Sequence, residues 1–277
     1  GQDLLEDHDV ESSGGHLLVD DGDLRGARRL GLGELDREPG HVGGVGCLCQ
    51  LTFEFGQCAR FRVEEVSRYD ERGPAWYWRN FTCGEHTGTH FDAPVHWISG
   101  RDLPDAAVDS IPPDAFVGPV CVIDCSQEST DDEDFLLTAD FIRAWEKEHG
   151  EIPVKSWVLM RTDWSKRTGA EYLHLREDGA HTPGPDADAR RFLIDERDIR
   201  GFGTETVGTD AGQATHLSPP YPAHYLLHGA NRYGLQCLAN LDRLPATGAI
   251  LVCPPLKIKH GSGSPLRVLA LVDRSAS

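Results

Sequence analysis

Residues 86–96 read His86-Thr-Gly-Thr-His90-Phe-Asp92-Ala-Pro-Val-His96, three imidazoles and a carboxylate within eleven residues. Neither an amphipathic helix nor an alternating strand requires such a cluster. Gly88 and Pro94 keep the run out of a regular helix. On an extended chain His90 and Asp92, two residues apart, project to one side, and His86 closes over them from the preceding turn. Imidazole nitrogen and carboxylate oxygen bind divalent zinc, manganese or iron, and three protein ligands with open positions describe a catalytic site rather than a closed structural one. A lone histidine reads more simply as a satisfied core or loop residue. Four candidate ligands this close reverse that balance, and with no cysteine among them the segment is not a zinc finger.

The chain has 277 residues, 39% of them hydrophobic, enough for one α/β domain with a substantial core. With 27 Lys and Arg against 45 Asp and Glu, the formal charge is −18, so most of the surface repels a polyanion and nucleic-acid binding is a poor hypothesis. No run reaches the roughly 18 apolar residues that span a membrane, and no basic, apolar leader opens the sequence, so the expectation is a cytoplasmic protein without membrane partners. Eight cysteines contain no CxxC pair and sit among apolar residues, as reduced, mostly buried thiols do. Cys83, close to the histidines, is read as a small apolar filler.

Residues 1–44 form an acidic, Gly-rich arm, and 45–277 the folded domain. Alternation at 51–55 and 61–63 predicts strands, as do the short apolar runs 117–125, 157–161, 249–253 and 266–272. Helices are expected at 139–148 behind a Thr138 cap, from Pro185-Asp186 to about 197, and at 222–230 behind Pro222. The charged stretch 129–134 reads as a solvated loop. Residues 169–185 read as a long excursion of the kind that covers active sites, with His174 and His181 at its surface. Trp76-Tyr77-Trp78 either lines a pocket for a flat substrate or plugs a core or subunit interface. The pair His224 and His228, one helical turn apart, is open between packing and function.

The segment His86-x-Gly-Thr-His90-x-Asp92-Ala-Pro-x-His96 resembles the signature of the cyclase family of metal-dependent hydrolases, which includes bacterial kynurenine formamidase and isatin hydrolase. The likeness continues through 114–124, 159–164, Gly208-Thr-Asp210, 239–245 and 255–265, and covers roughly residues 45–274. It departs at Asp163, where many members have Gly, and after Asp210, where Ala-Gly replaces Pro-Ser. The resemblance implies a swivelling β/β/α domain with a mixed sheet flanked by helices, assembled as homodimers or homotetramers. It implies that His86, His90 and Asp92 bind the metal, that His96 transfers protons, and that His224 and Gln236, twelve residues apart, lie at the same centre. The formamidase branch has Glu at the last position and the isatin hydrolase branch Gln. Since Gln236 is neutral, Asp92 is the one anionic ligand, and one divalent ion is expected, Mn²⁺ first and Zn²⁺ second.

Such an ion lowers the pKa of a bound water from about 15.7 towards neutrality and polarises a carbonyl. His96 then serves as base and acid, and His224 as a second relay or oxyanion holder. Trp76, Trp78 and Phe91 are assigned to a planar substrate. The implied reaction is hydrolysis of a C–N amide bond, isatin-like and cyclic in first place. Arylformamide or lactone hydrolysis and biosynthetic ring closure are the alternatives, and a non-catalytic metal-binding module is the reading from a different class.

Overall fold

The computed structural model describes residues 61–273 and the backbone of Gly40–His41. The arm expected at 1–44, the 44/45 boundary and the strand expected at 51–55 fall outside the described residues, apart from that two-residue strand at Gly40–His41. Four strands, Val117–Asp124, Trp157–Arg161, Gly201–Thr204 and Tyr233–Gln236, pair in parallel in that order and form the centre of a mixed sheet. Antiparallel strands extend both sides. Ala249–Val252 and then Leu269–Leu271 add beyond Val117–Asp124. On the other side His90–Asp92 pairs with Tyr233–Gln236, and Gly263–Pro265 pairs with His90–Asp92. The α/β expectation is borne out.

The central strands are buried on both faces, which is why their sequences read as continuous apolar runs rather than alternations. The period of two still sorts their side chains. Val120, Val122, Trp157 and Leu159 enter one core, with Phe91, Phe116 and Leu251. Cys121, Ile123, Val158 and Met160 enter the other, beneath Ile142, Trp145, Phe192 and Leu227.

The helix Ala139–His149 starts where expected, with Thr138 Oγ1 accepting from Phe141 N at 3.2 Å. Asp186 caps Ala189 N at 2.7 Å, but the helix it opens is regular only over Ala187–Arg191 before widening into a π turn over Phe192–Glu196. Pro222–Gly229 forms the third helix. Two expectations are corrected. The stretch read as a solvated loop at 129–134 is partly the helix Ser126–Asp131, whose Ser129 is buried. His181, expected at the surface, is 7% exposed and lies between Asp134 at 2.7 Å and Asp178 at 3.1 Å.

Asp163, where the family resemblance has Gly, takes a left-handed conformation with φ of 56°. That geometry suits glycine. Here the aspartate is tied by Arg161 at 2.9 Å and Lys166 at 2.7 Å.

Candidate metal centre

The sheet brings the expected residues together at the carboxyl ends of its parallel strands, where open α/β sheets place ligands. Extended backbone over His90–Asp92 sends His90 and Asp92 to one face and Phe91 to the other. Asp92 is flanked on both sides by glycine: Gly234 and Gly263 are its register partners on the two adjoining strands. A Cβ at 234 would lie 2.9 Å from Asp92 Oδ2, and one at 263 would lie 2.5 Å from His86 Cε1. The two glycines thus open the space that the carboxylate and the first imidazole occupy.

Asp92 is fully buried and is the hub of the cluster. Its Oδ1 lies 2.8 Å from His86 Nδ1 and 3.3 Å from His90 Nε2, and its Oδ2 accepts from Gln236 Nε2 at 2.5 Å. Burial pushes this carboxyl up, but the charges and hydrogen bonds of His90 and His86 outweigh it and hold the group well below the usual carboxylate range. His90 feels the converse: burial lowers it, and Asp92 and the Gly88 carbonyl raise it to a net upward shift. His90 Nδ1–H donates to Gly88 O at 2.7 Å, which leaves Nε2 facing Asp92.

The turn Pro94–His96 folds the last histidine of the segment back over the first, with ring centroids of His86 and His96 4.0 Å apart. Burial lowers His96 to about 4. From the helix Pro222–Gly229 come His224 and His228, whose rings lie 5.7 and 6.0 Å from that of His96. His228 is fully buried, donates Nδ1–H to Arg232 O at 3.1 Å, and is driven down to about 3 by desolvation. His224 Nδ1–H donates to Asp210 Oδ2 at 2.5 Å. Asp210 also accepts from the backbone N–H groups of Ala223 and His224, at 2.5 and 3.1 Å, so one carboxylate caps the helix and orients its histidine.

Among the described residues, two groups of side chains bring one ligand atom each within 4.8 Å of one another: His86, Asp92 and His96, and Asp92, His224 and His228. Imidazoles around one buried carboxylate fit a divalent cation. Gln236 stands at the same centre, but its oxygen accepts from Gly208 N at 2.7 Å and its nitrogen faces Asp92, the reverse of what a carbonyl ligand requires. Phe91 is a correction: its ring is fully buried against Phe116, Trp157 and Tyr233 and cannot touch a substrate. Trp76 and Trp78, 51% and 56% exposed, lie on and beside the hairpin formed by Arg62–Arg68 and Tyr77–Thr82, and neither ring stacks on a described histidine. The aromatic wall next to the cluster is instead Trp97, 4.7 Å from His224.

Sequence reading passed over Asp210, Glu85 and Ser262 as functional residues. Asp210 meets His224 across 14 positions, Ser262 Oγ lies 3.0 Å from His86 Nε2 across 176, and Glu85 reaches the cluster through that serine.

The chain is 53% identical over 231 residues to the isatin hydrolase of Roseibium aggregatum, covering 82% of this chain and 88% of that protein. It is 28% identical to the kynurenine formamidase of Polaromonas naphthalenivorans, over 68% of this chain and 71% of the relative. Among solved structures, isatin hydrolase A from Labrenzia aggregata bound to benzyl benzoate matches with a TM-score of 0.81 and 64% identity, over 85% of this chain and 93% of that one. An isatin hydrolase bound to the product analogue thioisatinate matches with a TM-score of 0.81 and 49% identity, over 86% and 93%. The Cyclase family model matches residues 49–211, and the chain belongs to the cyclase family.

Proposed function

We propose that this protein is a metal-dependent hydrolase that opens the C–N amide bond of isatin or a closely similar cyclic amide. The observation that carries the reading is the convergence of His86, His90 and Gln236 on the buried carboxylate of Asp92, in a chain 53% identical to an isatin hydrolase. His86, His90 and Asp92 hold one divalent ion, Mn²⁺ before Zn²⁺. Asp92 is the sole anionic ligand in this set, and a set of nitrogen and oxygen donors without sulfur suits both metals. Gln236 would complete the set once its amide turns over: Nε2 faces Asp92 and Oε1 accepts from Gly208 N, and a bound cation would draw Oε1 to itself in place of that hydrogen bond. The ion, when bound, polarises the substrate carbonyl and acidifies a water.

The protein's own groups then move the protons. His96, lowered to about 4 by burial, is a free base at neutral pH and takes the proton of the attacking water. A C–O bond forms at the carbonyl carbon, the C–N bond breaks, and His96 returns the proton to the leaving nitrogen, giving an aromatic amine and a carboxylic acid that releases the second water proton to solvent and leaves as the carboxylate. His224, oriented by Asp210 as a triad histidine is by its aspartate, is the second relay. Trp97 offers a face for the planar ring.

Val63, Tyr69, Trp76, Trp78 and Phe81 are all exposed on or beside the same two-stranded hairpin. Such a ribbon is marginal alone, which supports a homodimer in which Trp76 and Trp78 serve the partner's site; sedimentation as a monomer at working concentration overturns that assembly. No described helix is long and apolar enough to cross a membrane. The free thiols at Cys121, Cys125, Cys237 and Cys253 suit a reducing cytoplasm.

The test is loss of isatin absorbance with Mn²⁺-loaded protein, beside N-formylkynurenine, a lactone and an EDTA-treated control. Metal-dependent turnover of isatin in preference to the others supports the proposal. Preference for the formamide moves the chain to the arylformamidase alternative, and inactivity on all three overturns the substrate class.

A further inference from the structure

Glu85 and Ser262 border the cluster without a part in ligation or proton transfer, yet both are held closely. Glu85 Oε2 accepts from Ser262 N at 3.0 Å and from Ser262 Oγ at 2.5 Å, and the same Oγ lies 3.0 Å from His86 Nε2. A serine hydroxyl has one proton to give, and a carboxylate has none. The Ser262 proton therefore goes to Glu85, and the Ser262 oxygen is left to accept Nε2–H from His86. Nε2 of His86 thereby carries the proton of the neutral ring, and Nδ1 is the atom that faces Asp92 Oδ1 at 2.8 Å, a gap that a proton bridges in the metal-free protein and that a bound cation would fill in its place. Two lone-pair atoms that close repel unless positive charge sits at their junction. His90 is set the opposite way, donating Nδ1–H to Gly88 O and presenting Nε2.

Backbone delivers the hydroxyl to this position. Ser262 O accepts from Ala93 N at 2.9 Å, and the next residue, Gly263, pairs with Asp92 while leaving no room for a Cβ beside His86. A mere tether between the two segments would be complete with the Ser262 N–H bond to Glu85, so the hydroxyl needs a further reason. We propose that Glu85 and Ser262 are positioning residues that lock the tautomer of His86 and make Nδ1 its cation-binding atom. Outer partners that orient a ligating histidine in this manner typically contribute 10- to 100-fold to metal affinity. The assignment rests on the reading of His86 as a metal ligand.

The full-length protein tests it by Mn²⁺ titration followed by electron paramagnetic resonance, in wild type, Ser262→Ala, Ser262→Thr, Glu85→Ala and His86→Ala. Ser262→Ala and Glu85→Ala should weaken Mn²⁺ by about 10- to 100-fold while the metal-free melting temperature changes little, and Ser262→Thr, which keeps the hydroxyl, should recover most of the affinity. In the Zn²⁺-loaded protein, ¹⁵N spectra of the histidine rings should show His86 as the Nε2–H tautomer. Wild-type affinity in Ser262→Ala together with loss of binding in His86→Ala overturns the positioning role and leaves the metal reading intact, as does an Nδ1–H signal from His86. Wild-type affinity in His86→Ala overturns the metal reading and this assignment with it.

Discussion

Gly234 lies directly opposite Asp92 on the adjoining antiparallel strand, and the Asp92 carboxylate occupies the volume that a side chain at 234 would fill. The hub of the cluster depends on a missing methyl group. Gly234→Ala places a Cβ 2.9 Å from Oδ2 and 3.1 Å from the Asp92 Cβ, so the strand or the carboxylate has to shift. Overpacking of this kind costs about 1–3 kcal/mol, and a displacement near 1 Å at reacting groups costs about 10²-fold in rate. Urea unfolding and isatin kinetics on Gly234→Ala check both numbers. Wild-type turnover in this variant would mean that Asp92 is not held where catalysis needs it.

Asp210 supports His224 and the helix beneath it together. Asp210→Asn keeps the shape but removes the charge that accepts Nδ1–H and faces the helix N-terminus. Loss of the cap is expected to cost about 1 kcal/mol, and turnover should fall about 10- to 100-fold, as when an outer partner of an active-site histidine is changed. On the proposed role of His224 as a proton relay, the effect should fall on kcat more than on KM, because the orientation of a relay matters after substrate is bound.

How much of this was legible in the sequence follows from how local each feature is. His86, His90, Asp92 and His96 stand on one short segment, so spacing alone exposes them. Asp210 meets His224 only once the intervening loop folds back to cap the helix, and Glu85 meets Ser262 only through the topology of the sheet. Phe91 was misassigned although the alternation that puts His90 and Asp92 on one face puts Phe91 on the other. The strands Gly201–Thr204 and Tyr233–Gln236 carry no run of β-branched residues to announce them, because neighbours press too closely: a Cβ at Gly201 would lie 2.4 Å from the Trp157 ring and one at Gly203 2.7 Å from Leu159. The helix Ser126–Asp131 is polar throughout and gives no apolar stripe to read.

His181 links the excursion at 169–185 to the body, through Asp134 on one ring nitrogen and Asp178 on the other. The Asp134 hydrogen bond first, and then that of Asp178, raise its pKa above the ordinary histidine value. A folded pKa above the unfolded one gives stability that is complete below about pH 6.5 and is lost as pH rises through the folded pKa. The melting temperature is therefore expected to decline from pH 6 upward through this contribution, and His181→Gln should flatten that decline. An identical pH profile in wild type and variant would remove His181 from the balance.

On the proposed function, the neutral amide at position 236 is what limits the centre to one cation. In Gln236→Glu the Gly208 N–H still finds an oxygen, but the second carboxylate oxygen replaces an amide nitrogen that donates to Asp92 Oδ2 at 2.5 Å. Two carboxylates then face each other without a proton between them, which raises the pKa of one and destabilises the metal-free protein at neutral pH. A cation relieves this repulsion, so the gain in melting temperature on adding Zn²⁺ should exceed that of wild type, and the bound metal measured by mass spectrometry should rise above one per chain. Isatin turnover should fall, because the added negative charge weakens the pull of the first cation on the substrate carbonyl. Unchanged stoichiometry together with unchanged turnover would show that the neutral amide is not what limits the site to one ion.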